Sequence, residues 1–282
     1  MELSAGASAG LFAISILAGV LGSLAGVGGG LIVIPVLTVI YGVDIHLAIG
    51  ASIVSVIATS SGAAVAYVRD GLSNLRIGMV LELATTLGAV VGAVVAGSVP
   101  AAPLETILGV VLVGTAAAQV LRLTDSGAPG SREPNVWADR LRLTGSYTGV
   151  GGVRRDYVAQ RLPVGMALMG FAGAISGLLG IGSGALKVLA LDTAMRLPMK
   201  VSTATSNFMI GVTAAASAGI YLGRGDIDVR IAAPVALGIL AGALAGARIL
   251  PRLRDRVVRV AFIPVLAVIG GEMLIRGLGV NL

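Results

Sequence analysis

Residues 26–35 read GVGGGLIVIP, and residues 180–189 read GIGSGALKVL. Gly26, Gly28 and Gly30 recur as Gly180, Gly182 and Gly184, 154 positions later. The same offset, without a gap, pairs Ser52 with Ser206, Tyr67 with Tyr221 and Gly71 with Gly225. It also pairs Arg76 with Arg230, Gly88 with Gly242 and Gly92 with Gly246. Agreement of this kind marks an internal duplication.

Composition sets the class. The 282 residues are 56% hydrophobic and 12% charged, whereas a soluble domain carries about 25% charged residues. The charges sit in short clusters between long apolar stretches, the pattern of a polytopic helical membrane protein. The pI near 10.3 comes from basic residues in short loops. They read as topology signals, so no nucleic-acid partner is expected. The absence of cysteine excludes disulfides and thiolate metal sites. The opening MELSAGASAG has no basic n-region, so no cleaved signal peptide is expected.

Each half holds five apolar segments. In the first they run over 10–25, 31–41, 47–68, 77–98 and 104–121, and in the second over 164–179, 185–197, 201–222, 231–250 and 257–275. A straight spanning helix needs about 20 residues. The second segment of each half is therefore a half-helix or the return arm of a helical hairpin. If all ten segments alternate, sixteen Lys and Arg residues fall on one side and three on the other, with Lys187 inside a segment. Counting each glycine-broken pair as one span gives twelve to seven. The positive-inside rule favours the first arrangement, which puts the linker in the cytoplasm and both termini outside. Five segments is an odd number, so the halves are inverted. The expected fold is an all-α polytopic membrane protein of two inverted-topology repeats, with eight to ten membrane segments. Its parts are a first membrane repeat (1–121), a cytoplasmic linker (122–162) and a second membrane repeat (163–282). Within the linker, ADRLRLTGSYTGVGGVRRDYVAQRL predicts a β-hairpin, with arginines toward anionic headgroups.

The glycine run leading into a short proline-containing helix in GVGGGLIVIP resembles the signature of the TauE/SafE family of membrane anion exporters. GLLGIGSGALK and KVSTATSNFMIGV resemble that family's second half, so the likeness covers nearly the whole chain. The resemblance implies a transporter of sulfite or an organosulfonate in the inner or plasma membrane of a prokaryote. The doubled pattern is broken once: Leu189 stands where Pro35 stands in the first half. On that ground the halves are expected to be inequivalent.

The residues support such a site on their own chemistry. Irregular backbone at membrane depth survives only where protein or a watery cavity surrounds it. Glycines at 28, 29 and 30, and Gly182, Ser183 and Gly184, precede short helices whose first N–H groups are unpaired and carry roughly +0.5 charge. Two inverted copies would aim these donors at one midplane anion. The structural alternative is close helix packing, which is the preferred reading for Gly88, Gly92, Gly242 and Gly246. Lys187 is costly in a membrane, at least about 2.5 kcal/mol, and is read as the group that coordinates the anion. Snorkelling is its alternative. Asp192, five residues on and about 140° around the helix, is expected near Arg196. Ser52, Ser206 and Asn207 can donate to an oxyanion or tie helices together. Glu82 is expected near the interface beside Arg76, or, if it faces the cavity, as a proton-coupling group. Glu272 is expected to pair with Arg276 at i+4.

No nucleophile–base arrangement or metal-ligand spacing is present, and His46 stands alone in a short loop. No enzymatic activity, metal or cofactor is expected. The expected partners are a small inorganic or organic sulfur anion and the lipid bilayer, and the oligomeric state stays open. Export of a monovalent anion is favoured by about 2.3 kcal/mol per 100 mV, so uniport suffices, with proton or anion exchange also open. Two other classes use the same segments: an anion channel, and a non-transporting or lipid-handling membrane subunit.

Overall fold

The computed structural model describes residues 5–26, 28–124, 136–148, 154–253 and 255–279. Arg132, Arg254 and the glycine-rich tip of the expected hairpin, all used in the sequence reading, lie outside the described residues.

The first repeat comprises α1 (Ala5–Ala25), α2 (Gly30–Pro35), α3 (Ile45–Arg69), α4 (Leu75–Ala96) and α5 (Ala101–Thr124). A short helix, α6 (Val136–Leu141), and strands β1 (Thr144–Thr148) and β2 (Arg154–Val158) form the linker. The second repeat comprises α7 (Leu162–Leu179), α8 (Gly184–Leu189), α9 (Met199–Arg224), α10 (Val229–Ile249) and α11 (Asp255–Gly277). Among the described residues five helices are long and apolar enough to cross a membrane, including α3, α4, α7 and α10. Polar side chains fix the helix starts. Asp44 accepts from the His46 N–H at α3, Asn74 from Ile77 at α4, and Asp228 from Arg230 at α10, each answering an orphan donor of the first turn.

Both short helices continue through one π-helical turn, Val36–Ile40 after α2 and Ala190–Ala194 after α8. Tyr41 N–H donates to Val36 O and Met195 N–H to Ala190 O, at matched positions. At this turn the missing proline therefore leaves the backbone unchanged. Leu189 enters the same π turn as Pro35, so the wider ladder does not depend on proline.

Contacts along α3 show what the short segment does. Tyr67 donates to Ser23 O at the end of α1, and Gly29 N–H donates to Thr59. Gly30 lies against Ser52, and the Tyr41 hydroxyl lies against Gly10 near the start of α1. The chain thus runs along α1, turns midway, and returns beside α3. α2 with its π turn is a return arm of eleven residues, about 16 Å long, so each repeat has five alternating segments. The repeats are inverted. Ser73 donates to Ala204 O, and Asn74 N–H donates to Thr205, which puts the α3–α4 turn at the start of α9. Gly50 in turn packs on Asp226 O, which puts the α9–α10 turn at the start of α3. Hence α3 and α9 run antiparallel.

The repeats exchange partners: α4 packs on α7, and α10 on α1, while α5 packs on α11. A methyl group at Gly88 or Gly92 would strike Gly170 O at 2.1 Å or Ala174 O at 2.0 Å. At the symmetric positions, Gly242 and Gly246 face Ile16 O at 2.0 Å and Val20 O at 2.8 Å. These four glycines serve close helix contact, as their preferred reading has it. Leu83, Leu87, Val91 and Val94 of α4 face outward, as an apolar solvent permits. α9, by contrast, buries Ser202, Thr203, Thr205, Ser206, Asn207 and Thr213.

The hairpin forms as expected, with Thr144 opposite Val158 and Thr148 opposite Arg154. It docks on the α3–α4 turn, where Asn74 Nδ2 donates to the Tyr157 hydroxyl at 3.1 Å. Burial pushes the Tyr157 phenol pKa up, partly offset by that bond. Glu272 and Arg276 form the expected pair at 3.8 Å.

Candidate functional site

Four glycines at matched positions have positive φ: Gly26 (72°), Gly28 (74°), Gly180 (63°) and Gly182 (69°). Only glycine enters that region without strain, so the duplicated spelling encodes a duplicated backbone path. A methyl at Gly28 or at Gly182 would meet the same two residues, Val56 and Ile210, which are themselves 154 positions apart. The two breaks therefore converge midway along α3 and α9, on the pseudo-two-fold axis.

A pair of serines holds them there. Ser52 of α3 donates to Gly180 O at 2.9 Å, and Ser206 of α9 donates to Gly26 O at 2.7 Å. Each bond runs from one repeat to the other's break, and the two are related by symmetry. Ser206 also approaches Gly184 O at 3.3 Å. Asn207 Nδ2 donates to Ser23 O at 2.8 Å and Thr203 O at 3.2 Å, and its Oδ1 has no hydrogen-bond partner among the described residues. In this conformation the donors of Ser52, Ser206 and Asn207 are engaged by backbone carbonyls.

The breaks differ in what surrounds them. At the first, Gly29 N–H is satisfied by Thr59 at 3.1 Å, Thr59 in turn donates to Ser55 O, and Val33 fills the space apolarly. At the second, Ser183 replaces Gly29 and takes φ 47°. Its buried hydroxyl has no hydrogen-bond partner among the described residues. Lys187 replaces Val33 and is fully buried, 0% exposed, which removes the snorkelling alternative. Its ammonium donates to Thr213 at 2.5 Å and lies 3.8 Å from Glu82 Oε2. Thr213, the symmetry partner of Thr59, also donates to Glu82 Oε1, and Thr86 donates to the same oxygen at 3.2 Å.

Glu82 is not interfacial. It is 7% exposed and lies two turns into α4, about 10 Å deep, so Arg76 beside the helix start does not reach it. Thr213 is the residue that sequence reasoning missed. Its signal was available: it repeats Thr59 at the offset of 154.

The chemical capacity of the second break follows from hydrogen-bond accounting. An ammonium has three donors, and Thr213 is the one acceptor of Lys187 among the described residues. Glu82 Oε2 and Ser183 Oγ also have no hydrogen-bond partner there. Buried polar groups are normally satisfied. A cluster with unspent donors beside positive-φ backbone can accept a small oxyanion. No group of three or more His, Cys, Asp and Glu that could hold a metal occurs among the described residues.

Comparison with known proteins agrees with a transport role. The family described as "Sulfite exporter TauE/SafE" matches residues 11–273. The chain is similar to "Probable membrane transporter protein YunE" of Bacillus subtilis (strain 168), 23% identical over 275 residues, covering 95% of this chain and 97% of that protein. It is also similar to "Probable membrane transporter protein YdhB" of the same organism, 25% identical over 233 residues, covering 82% and 86%. No solved structure is significantly similar to it.

Proposed function

The chain belongs to the sulfite exporter TauE/SafE family of membrane transporters, and we propose that it exports a small sulfur-containing oxyanion, sulfite or an organosulfonate, by alternating access. The anion sits at the convergence of the two glycine breaks. Gly28, Gly30 and Gly182–Gly184 supply backbone donors, the Gly29 N–H being held by Thr59, Lys187 supplies the charge, and Ser52, Ser206 and Asn207 supply further donors once their interrepeat bonds open. The observation that carries this reading is the unspent polar capacity around Lys187 at the second break. The repeats, 1–121 and 163–282, move against each other, and the linker, 122–162, faces the cytoplasm by its charge. The protein lies in the plasma membrane of a prokaryote.

The test is flux of sulfite, sulfate and organosulfonates into proteoliposomes. Lys187→Met should lower saturable flux at least about tenfold, since a desolvated ionic contact contributes 1.4 kcal/mol or more. Unchanged flux of every anion in that variant would sink the site assignment. Flux that never saturates would point instead to a channel.

A further inference from the structure

Lys187 cannot serve an incoming anion and Glu82 equally. We propose that Glu82 takes up a proton when the anion binds, so that one proton accompanies each monovalent anion. The inference rests on the preceding reading that the second break holds the anion, and adds its coupling.

The Lys187 ammonium and the Glu82 carboxylate lie 3.8 Å apart and share Thr213. The buried pair has no net charge, so the empty carrier can reorient without moving charge through the bilayer. An anion drawn to Lys187 leaves one net negative charge in a dry site, next to a carboxylate with an unpartnered oxygen. Protonating Glu82 on that oxygen removes the charge and turns a repelling acceptor into a donor toward the anion. Thr213 goes on donating its single hydrogen to Oε1, now the carbonyl oxygen of the neutral acid, and accepting from Lys187.

Among the described residues no other charge near Glu82 can take this part. α7, packed on α4, contains no ionisable side chain, and Arg76 is the other charged residue of α4. On α9 the ionisable residues Lys200, Tyr221 and Arg224 lie about 20, 12 and 17 Å along the helix from Thr213. α8 contributes Lys187 alone. The first break lacks the device, having Val33 for Lys187 and Ala236 for Glu82 at the matched positions.

The consequence is electroneutral transport. Occupied and empty sites both carry zero net charge, so anion and pH gradients drive movement and the membrane potential does not. Proteoliposomes clamped with potassium and valinomycin would report this with labelled sulfite and 2-hydroxyethanesulfonate, protein-free vesicles subtracting leak. Wild-type flux should respond to a pH step, ignore a potential step, and move about one proton per sulfonate. Glu82→Gln should lose proton movement and become sensitive to potential. Its net flux should fall at least tenfold more than its anion–anion exchange, because only the empty return leg carries an unpaired ammonium. Saturable wild-type flux that follows the potential and moves no protons would overturn the coupling and leave the anion site standing. Absence of saturable flux with every anion would overturn both.

Discussion

Thr213 holds two charged side chains together, and its symmetry partner Thr59 holds a backbone N–H. The contrast separates structure from function at single residues. Thr213→Val and Thr59→Val each remove a buried hydroxyl of nearly constant shape, leaving a donor unsatisfied at a cost of about 1–3 kcal/mol. Both should lower the thermal unfolding midpoint in detergent by similar amounts. Only Thr213→Val should also change the anion concentration for half-maximal flux, because only it touches Lys187. Equal transport in the two variants would reduce Thr213 to a packing residue. Lys187 was legible in the sequence because an ammonium in an apolar segment is expensive. Thr213 repeats Thr59 at the same offset, but that signal does not stand out, because threonine in a membrane helix commonly bonds its own i−4 carbonyl. Thr85 and Thr115 do just that here, and Met209 O lies within the same reach of Thr213, whose single hydrogen goes instead to Glu82. Glu82 was misplaced because a nearby arginine in sequence suggested an interface, whereas tertiary packing had put its partner on the other repeat.

At the scale of elements, glycine decides how closely helices approach. A methyl at Gly177 would lie 1.9 Å from Ala89 O, and one at Gly242 2.0 Å from Ile16 O, whereas Gly114 has nothing within 4 Å. Gly177→Ala and Gly242→Ala should each force a helix pair apart and destabilise by at least the 1–3 kcal/mol of ordinary overpacking, about. Gly114→Ala should be neutral or stabilising by roughly 0.5–1 kcal/mol. Thermal unfolding of the three purified variants decides; a stable Gly177→Ala protein would show that α4 and α7 do not meet as described. Helix existence and the hairpin were readable because apolar runs, caps and turn glycines agree locally. α6 was not, since VWADRL is too short for periodicity to speak. The π turns were also hidden: Pro35 and Leu189 begin the same turn, so no shared residue marks it.

The whole molecule is two inverted copies locked by two serines, and that symmetry predicts how it opens. The Ser52 bond to Gly180 O holds the half near the start of α3, while the Ser206 bond to Gly26 O holds the half near the start of α9. Ile49 backs the second break, Thr203 backs the first, and both are 1% exposed. They are symmetry partners on opposite halves of the membrane. Each serine bond contributes about 0.5–1.5 kcal/mol, so removing one shifts a two-state population roughly two- to tenfold. Ser52→Ala should open the half holding Ile49, and Ser206→Ala the half holding Thr203. The chain has no cysteine, so Ile49→Cys and Thr203→Cys report without background. With an impermeant maleimide added to oriented vesicles, Ser52→Ala should raise labelling at position 49 and lower it at 203, and Ser206→Ala should do the reverse. Position 49 should react from outside and 203 from the cytoplasmic side, which also tests the charge-based orientation. Shifts in the same direction for both serine variants would mean that the bonds only stabilise the fold, and that opening is governed elsewhere.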